Sequence, residues 1–153
     1  PFDTHSVEAE AGRIFLRRVN ELIEDRADFA FESTLSGRAY ARLFRRLHET
    51  GFSLVLFYLW IPGVEFSAER VASRVENGGH DIAPDAIARR YMKSLRNLFQ
   101  LYVPLADRTL IFDNSAEKAT LIADLQPTSE RILNEALFNG IRRQIQEADH
   151  EQD

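Results

Sequence analysis

Eight consecutive residues, Leu54-Val55-Leu56-Phe57-Tyr58-Leu59-Trp60-Ile61, are apolar without alternating with polar ones, and Pro62-Gly63 closes the run. A strand with one wet face alternates, whereas a strand covered on both faces reads as a continuous apolar stretch. The run is far shorter than the ~18 residues a membrane helix needs. It therefore predicts a parallel strand inside an α/β sheet, for which the rest of the chain must supply neighbours and covering helices.

Those helices show as 3.6-residue periods. Val7, Ala11, Ile14, Phe15, Val19, Leu22 and Ile23 predict a helix from about Ser6 to Arg26, with Ser6 as its cap. Tyr40, Leu43, Phe44 and Leu47 predict a second, stopped by Gly51. Ser67 is expected to cap a third that carries Val71, Ala72 and Val75. Pro84 suits the first turn of a fourth, whose apolar face takes in Ile87, Tyr91, Leu95, Leu98, Phe99 and Tyr102. Further strands are expected at Phe29-Ala30-Phe31, at Thr109 to Phe112 and, as an edge, at Ala119 to Leu125. Pro127 breaks the last of these, and Ser129 to about Glu147 reads as a terminal helix. In such sheets ligands bind beyond the carboxyl ends of the strands. That rule singles out Glu32 to Arg38, the Pro62-Gly63 turn and Asp113-Asn114-Ser115.

Composition removes several function classes. The chain of 153 residues is 44% hydrophobic, enough for the core of one soluble domain. It has no cysteine, which excludes disulfides, zinc-thiolate sites and thiol catalysis and fits a reducing cytoplasm. A net charge of −5 argues against wholesale nucleic-acid binding and leaves room only for a local basic patch. His5, His48 and His150 lack the spacing of a metal site. The patterns G-x-x-x-x-G-K-[ST], G-x-G-x-x-G and G-x-S-x-G are absent, so neither a triphosphate cradle nor Ser-His-Asp catalysis has motif support.

Two segments concentrate chemistry. Glu32-Ser33-Thr34-Leu35-Ser36-Gly37-Arg38 places a carboxylate, three hydroxyls and a guanidinium past a predicted strand end. A carboxylate accepts from sugar hydroxyls, hydroxyls and loop N–H groups donate to phosphate, and Arg38 can grip phosphate with two bonds. The alternative is helix capping by Ser36 beside a solvated Arg38. The second segment runs from Arg70 to Arg96, with Arg70 and Arg74 on one helix and Arg89, Arg90, Lys93 and Arg96 on the next. Two arginine-rich helices joined by the Gly78-Gly79 loop form a lid able to neutralise charge during phosphoryl transfer. The alternative is an ordinary solvated face. His80-Asp81 reads either as a base with its orienting carboxylate or as a polar turn.

Taken in order, Phe29-Ala30-Phe31-Glu32-Ser33-Thr34-Leu35-Ser36-Gly37-Arg38, Leu56-Phe57-Tyr58-Leu59-Trp60, Arg74-Val75, Gly78-Gly79-His80-Asp81-Ile82, Arg89-Arg90-Tyr91, Leu105-Ala106-Asp107 and Asp113-Asn114-Ser115 resemble the zeta-toxin-like family of P-loop kinases. The resemblance spans residues 1–115, with 116–153 adding a C-terminal edge strand and helix to a single partial kinase domain. It implies a P-loop kinase-like α/β fold, a three-layer parallel sheet flanked by helices. It also implies ATP with Mg2+, a small-molecule acceptor (UDP-N-acetylglucosamine or a related sugar nucleotide) and a partner antitoxin. Carried over by position, Glu32, Thr34 and Arg38 serve the acceptor, and Arg74 with Arg89 or Arg90 clamps phosphate. The family's phosphate-binding loop and catalytic Asp have no counterpart in these residues. The resemblance therefore implies a sheet lacking its N-terminal central strand, and a chain that is inactive alone or acts as an interaction module binding an antitoxin or itself.

Overall fold

The computed structural model describes residues 4–76, 78 and 82–150. The chain forms two compact units that divide between Ser33 and Thr34. In the first, α1 (Thr4–Glu24) ends where Arg26 adopts a left-handed backbone (φ 55°), and the Ala27 N–H donates to the Leu22 carbonyl at 3.0 Å. Arg26 thus occupies a position usually given to glycine. The strand expected at Phe29-Ala30-Phe31 does not form. A strand exists only as part of a ladder, and here Phe31 packs edge-on against Phe15 of α1, with ring centres 5.2 Å apart.

The second unit opens with α2 (Tyr40–Glu49), which buries Ala41, Leu43, Phe44 and Leu47. Gly51 (φ 83°) stops it as expected, its N–H donating to the His48 carbonyl at 2.9 Å. Then follow β1 (Val55–Trp60), α3 (Val64–Glu76), α4 (Pro84–Asn97), β2 (Arg108–Asp113), β3 (Thr120–Gln126), β4 (Ser129–Ile132) and α5 (Glu135–His150). α3 starts before Ser67, whose hydroxyl donates back to the Gly63 carbonyl at 3.3 Å, so Ser67 is not the cap.

The sheet runs in the order β1-β2-β3-β4. It is mixed rather than wholly parallel. β1 and β2 are parallel, with Val55 opposite Arg108 and Trp60 opposite Asp113, whereas β2–β3 and β3–β4 are antiparallel. Connection length dictates this. α3 and α4 provide a full crossover between β1 and β2, while residues 114–119 and the turn Pro127-Thr128 are too short for one. The same turn converts the expected start of the terminal helix into β4. Asn134 then caps α5, its Oδ1 accepting the Leu137 N–H at 3.1 Å. With β4 outside it, β3 is an interior strand rather than an edge.

One face of the sheet is covered by α4 and α5, and α3 packs in turn on α4. Leu95, Leu98 and Tyr102 from the α4 side, Ile111 from β2 and Ile141 from α5 are fully buried there. The other face departs from the two-sided burial that the apolar run predicts. Val55, Phe57 and Leu59 of β1 are 50%, 62% and 58% exposed. Phe57 stacks on Phe112 of β2, with ring centres 6.4 Å apart. Diagonally across from β2 to β3, where Asp124 lies opposite Leu110, Arg108 grips Asp124 with two bonds of 2.9 and 2.8 Å and holds its carboxyl below the usual carboxylate range.

Candidate functional site

The organising element is α4. Pro84 occupies its first turn, where the missing N–H costs nothing. Ile87, Ser94 and Leu95 form its buried stripe, while Arg89, Arg90 and Lys93 are exposed. Past Asn97 the helix widens into a π-helical turn (Leu98–Tyr102), tightens into a 3-10 turn (Val103–Leu105) and leaves for β2. Single π-turns are rare and recur at functional sites.

Side chains from α4 reach the sheet at two levels. The Tyr58 hydroxyl of β1 pairs with the Ser94 hydroxyl at 3.0 Å, and burial pushes the Tyr58 phenol up to about 12. One turn earlier, the Tyr91 hydroxyl lies 3.0 Å from the Ile61 carbonyl and 3.1 Å from Gln144 Oε1, one hydrogen serving two acceptors. Gln144 Nε2 donates to the Pro62 carbonyl at 3.3 Å. The chain leaving β1 is thereby fixed. Nearby, the Asn114 N–H donates to the Trp60 carbonyl at 2.8 Å, Asp113 Oδ1 accepts the Ser115 N–H at 2.9 Å, and Arg70 of α3 donates to the Asn114 carbonyl. The carboxyl ends of the parallel pair are thus tied to α3, α4 and α5.

The far end of α4 holds the loop Thr34–Arg38. Leu35 is buried in a left-handed backbone (φ 54°). Asn97 Nδ2 donates to the Leu35 carbonyl at 2.8 Å and approaches the Gly37 carbonyl at 3.5 Å. The Tyr102 hydroxyl donates to the Gly37 carbonyl at 2.5 Å, and burial pushes its phenol up, which keeps that proton in place at neutral pH. Thr34 and Ser36 bond each other through their hydroxyls at 2.8 Å. Ser36 is therefore not a helix cap, and the residue before α2, Ala39, makes no side-chain cap bond.

The predicted site residues divide accordingly. Thr34 and Arg38 are exposed on this pinned loop, and Glu32 is exposed at the end of the first unit. Arg89 is drawn to Asp85 one turn away at 3.4 Å, an exposed pair on a solvated face. Arg90 is exposed and sits seven residues before Asn97, which places the two about 10 Å apart along nearly one line of the helix. Arg74 lies on α3 with its side chain outside the described residues, as is all of His80-Asp81. Among the described residues no cluster of three or more His, Asp or Glu could hold a metal, and no helix is long and apolar enough to cross a membrane. Sequence reasoning missed Asn97 and Gln144. The one available signal was a polar amide on a helix beside otherwise apolar contact positions.

A family model described as Zeta toxin matches residues 4–125. A protein of Haemophilus influenzae (strain ATCC 51907 / DSM 11121 / KW20 / Rd), described as "Uncharacterized protein", is 34% identical over 91 residues, 60% of this chain. The chain spans 65% of the length of that relative. No solved structure matches the chain.

Proposed function

Because the chain belongs to the zeta toxin family, we propose that it forms the acceptor-facing part of a kinase that phosphorylates a sugar nucleotide, UDP-N-acetylglucosamine or a close relative. Glu32 and Thr34 contact the acceptor, Arg38 supports that contact, and Arg74 with Arg90 neutralises phosphate charge. Arg90 is favoured over Arg89 because Arg89 is engaged by Asp85 and Arg90 is in line with the loop anchor Asn97. The observation that carries this reading is the loop Thr34–Arg38, whose hydroxyls and guanidinium are presented on a backbone fixed from α4.

The family implies ATP and Mg2+. The residues present do not fit that pair. The sequence has no glycine-rich loop with its lysine, and the described residues offer no carboxylate cluster for the metal. Our reading assigns the triphosphate contacts to a further strand and loop paired beside β1, the central strand that the family fold implies, and gives these 153 residues alone negligible turnover.

Calorimetric titration tests this. UDP-N-acetylglucosamine is expected to bind, Glu32→Ala to weaken it about tenfold, and ATP to bind more weakly than millimolar. Micromolar ATP affinity in this chain would contradict the missing cradle.

A second reading rests on the exposed Val55, Phe57 and Leu59, which favour an interaction module that binds an antitoxin-like partner or itself along β1. Sedimentation across a concentration series separates the two, since a strict monomer that binds the acceptor supports the first alone.

A further inference from the structure

The loop Thr34–Arg38 holds a conformation that its own sequence resists. Leu35 is not glycine, asparagine or aspartate, yet it sits at φ 54°, a region where the Cβ of an ordinary L-residue crowds the following carbonyl oxygen. Such a backbone persists only where its surroundings over-determine it. Two donors do so. The Asn97 amide, 62 residues further along, bonds the Leu35 carbonyl and approaches that of Gly37. Tyr102 bonds the Gly37 carbonyl from the end of the π-helical turn. An α-helix advances 100° per residue, so Asn97 and Tyr102 stand 500° apart in a regular helix, about 140° around the axis. The wider π turn lies between them, and both donors nevertheless converge on the three-residue stretch from Leu35 to Gly37.

We propose that Asn97 and Tyr102 are positioning residues for the acceptor. They draw the carbonyls of Leu35 and Gly37 toward α4 and leave Arg38 and the outward hydrogen of the Thr34–Ser36 hydroxyl pair to meet the ligand. This rests on the acceptor-binding reading above and deepens it. A loop whose carbonyls are already satisfied presents donors outward, which suits an anionic, hydroxyl-rich ligand such as a sugar nucleotide. The π turn serves the same end, because it sets the Tyr102 hydroxyl and the Asn97 amide on carbonyls two residues apart.

The test compares the chain with Asn97→Asp, which replaces the amide donor by an acceptor of the same shape, and Tyr102→Phe, which removes one oxygen. Two quantities are read: backbone 15N order parameters at residues 35–38, and the Kd for UDP-N-acetylglucosamine. In the unsubstituted chain these amides should show order parameters near about 0.85, falling below about 0.6 in Asn97→Asp. The Kd should rise about tenfold in Asn97→Asp and about threefold in Tyr102→Phe, with melting temperatures shifted far less than a core substitution shifts them. A loop that stays rigid in both variants overturns the proposal, as does a loosened loop with unchanged affinity. If Asn97→Asp does not fold, Tyr102→Phe decides alone by the same two readings. An unsubstituted chain that ignores the sugar nucleotide overturns the kinase reading instead, and the order parameters still judge the two pins separately.

Discussion

On β1, Leu56, Tyr58 and Trp60 point one way and Val55, Phe57 and Leu59 the other. The two sets are almost equally apolar. The first is sealed: Trp60 is 5% exposed, and Tyr58 is bonded to Ser94 on the helix above. The second stands open, with Phe57 62% exposed. The difference teaches that a continuous apolar run reports what a strand requires, and the element that meets the requirement has to be found separately. Polar side chains distinguish the faces as well. The covered side is registered by hydroxyl and amide bonds from α4 and α5, and registered contacts give a single packing where apolar area alone permits several.

The comparison can be broken most forcefully from the covered side. Leu95→Ala removes a fully buried side chain above the sheet and should cost about 3 kcal/mol, or about 10 °C in melting temperature, read by thermal denaturation. Tyr58→Phe removes one bond and should cost about 1 kcal/mol near neutral pH. It should also blunt the alkaline loss of stability. The folded chain holds the Tyr58 phenol protonated up to about 12, against an ordinary 10.0. Stability is therefore intact below pH 10.0 and drains as pH rises toward 12. Tyr91 and Tyr102 are raised in the same direction, so part of the loss should remain. Phe57→Ser, on the open face, should change stability by less than about 0.5 kcal/mol in dilute solution while lowering any concentration-dependent association. A loss comparable to that of Leu95→Ala would show that the open face is packed in solution.

Much of the architecture was legible in the residues. The 3.6-residue stripes located α1, α2 and α4, the apolar run located β1, and Pro84 and Gly51 marked their boundaries as placed. The failures share a cause. β4 reads Ser-Glu-Arg-Ile, which carries no strand pattern, and forms because Pro127-Thr128 folds it back on β3. Phe29-Ala30-Phe31 has the pattern and does not form a strand, and Phe31 instead packs on Phe15 of α1. In both cases a distant neighbour outweighs local preference. Within the candidate site the loop Thr34–Arg38 was recognisable from its chemistry. Its left-handed Leu35 and its anchors Asn97 and Tyr102 were not, since a leucine gives no sign of positive φ and a contact across 62 residues leaves no periodicity.

The two borders of the sheet carry unlike instructions. β4, the outermost strand on one side, is four residues long and sets Glu130 and Arg131 along its rim, and short charged borders discourage further strands. β1, outermost of the described strands on the other side, is longer, with neither acid nor base in its six residues. The hairpin border is therefore the guarded one, hemmed by charge and short length, while the β1 border carries no such safeguard.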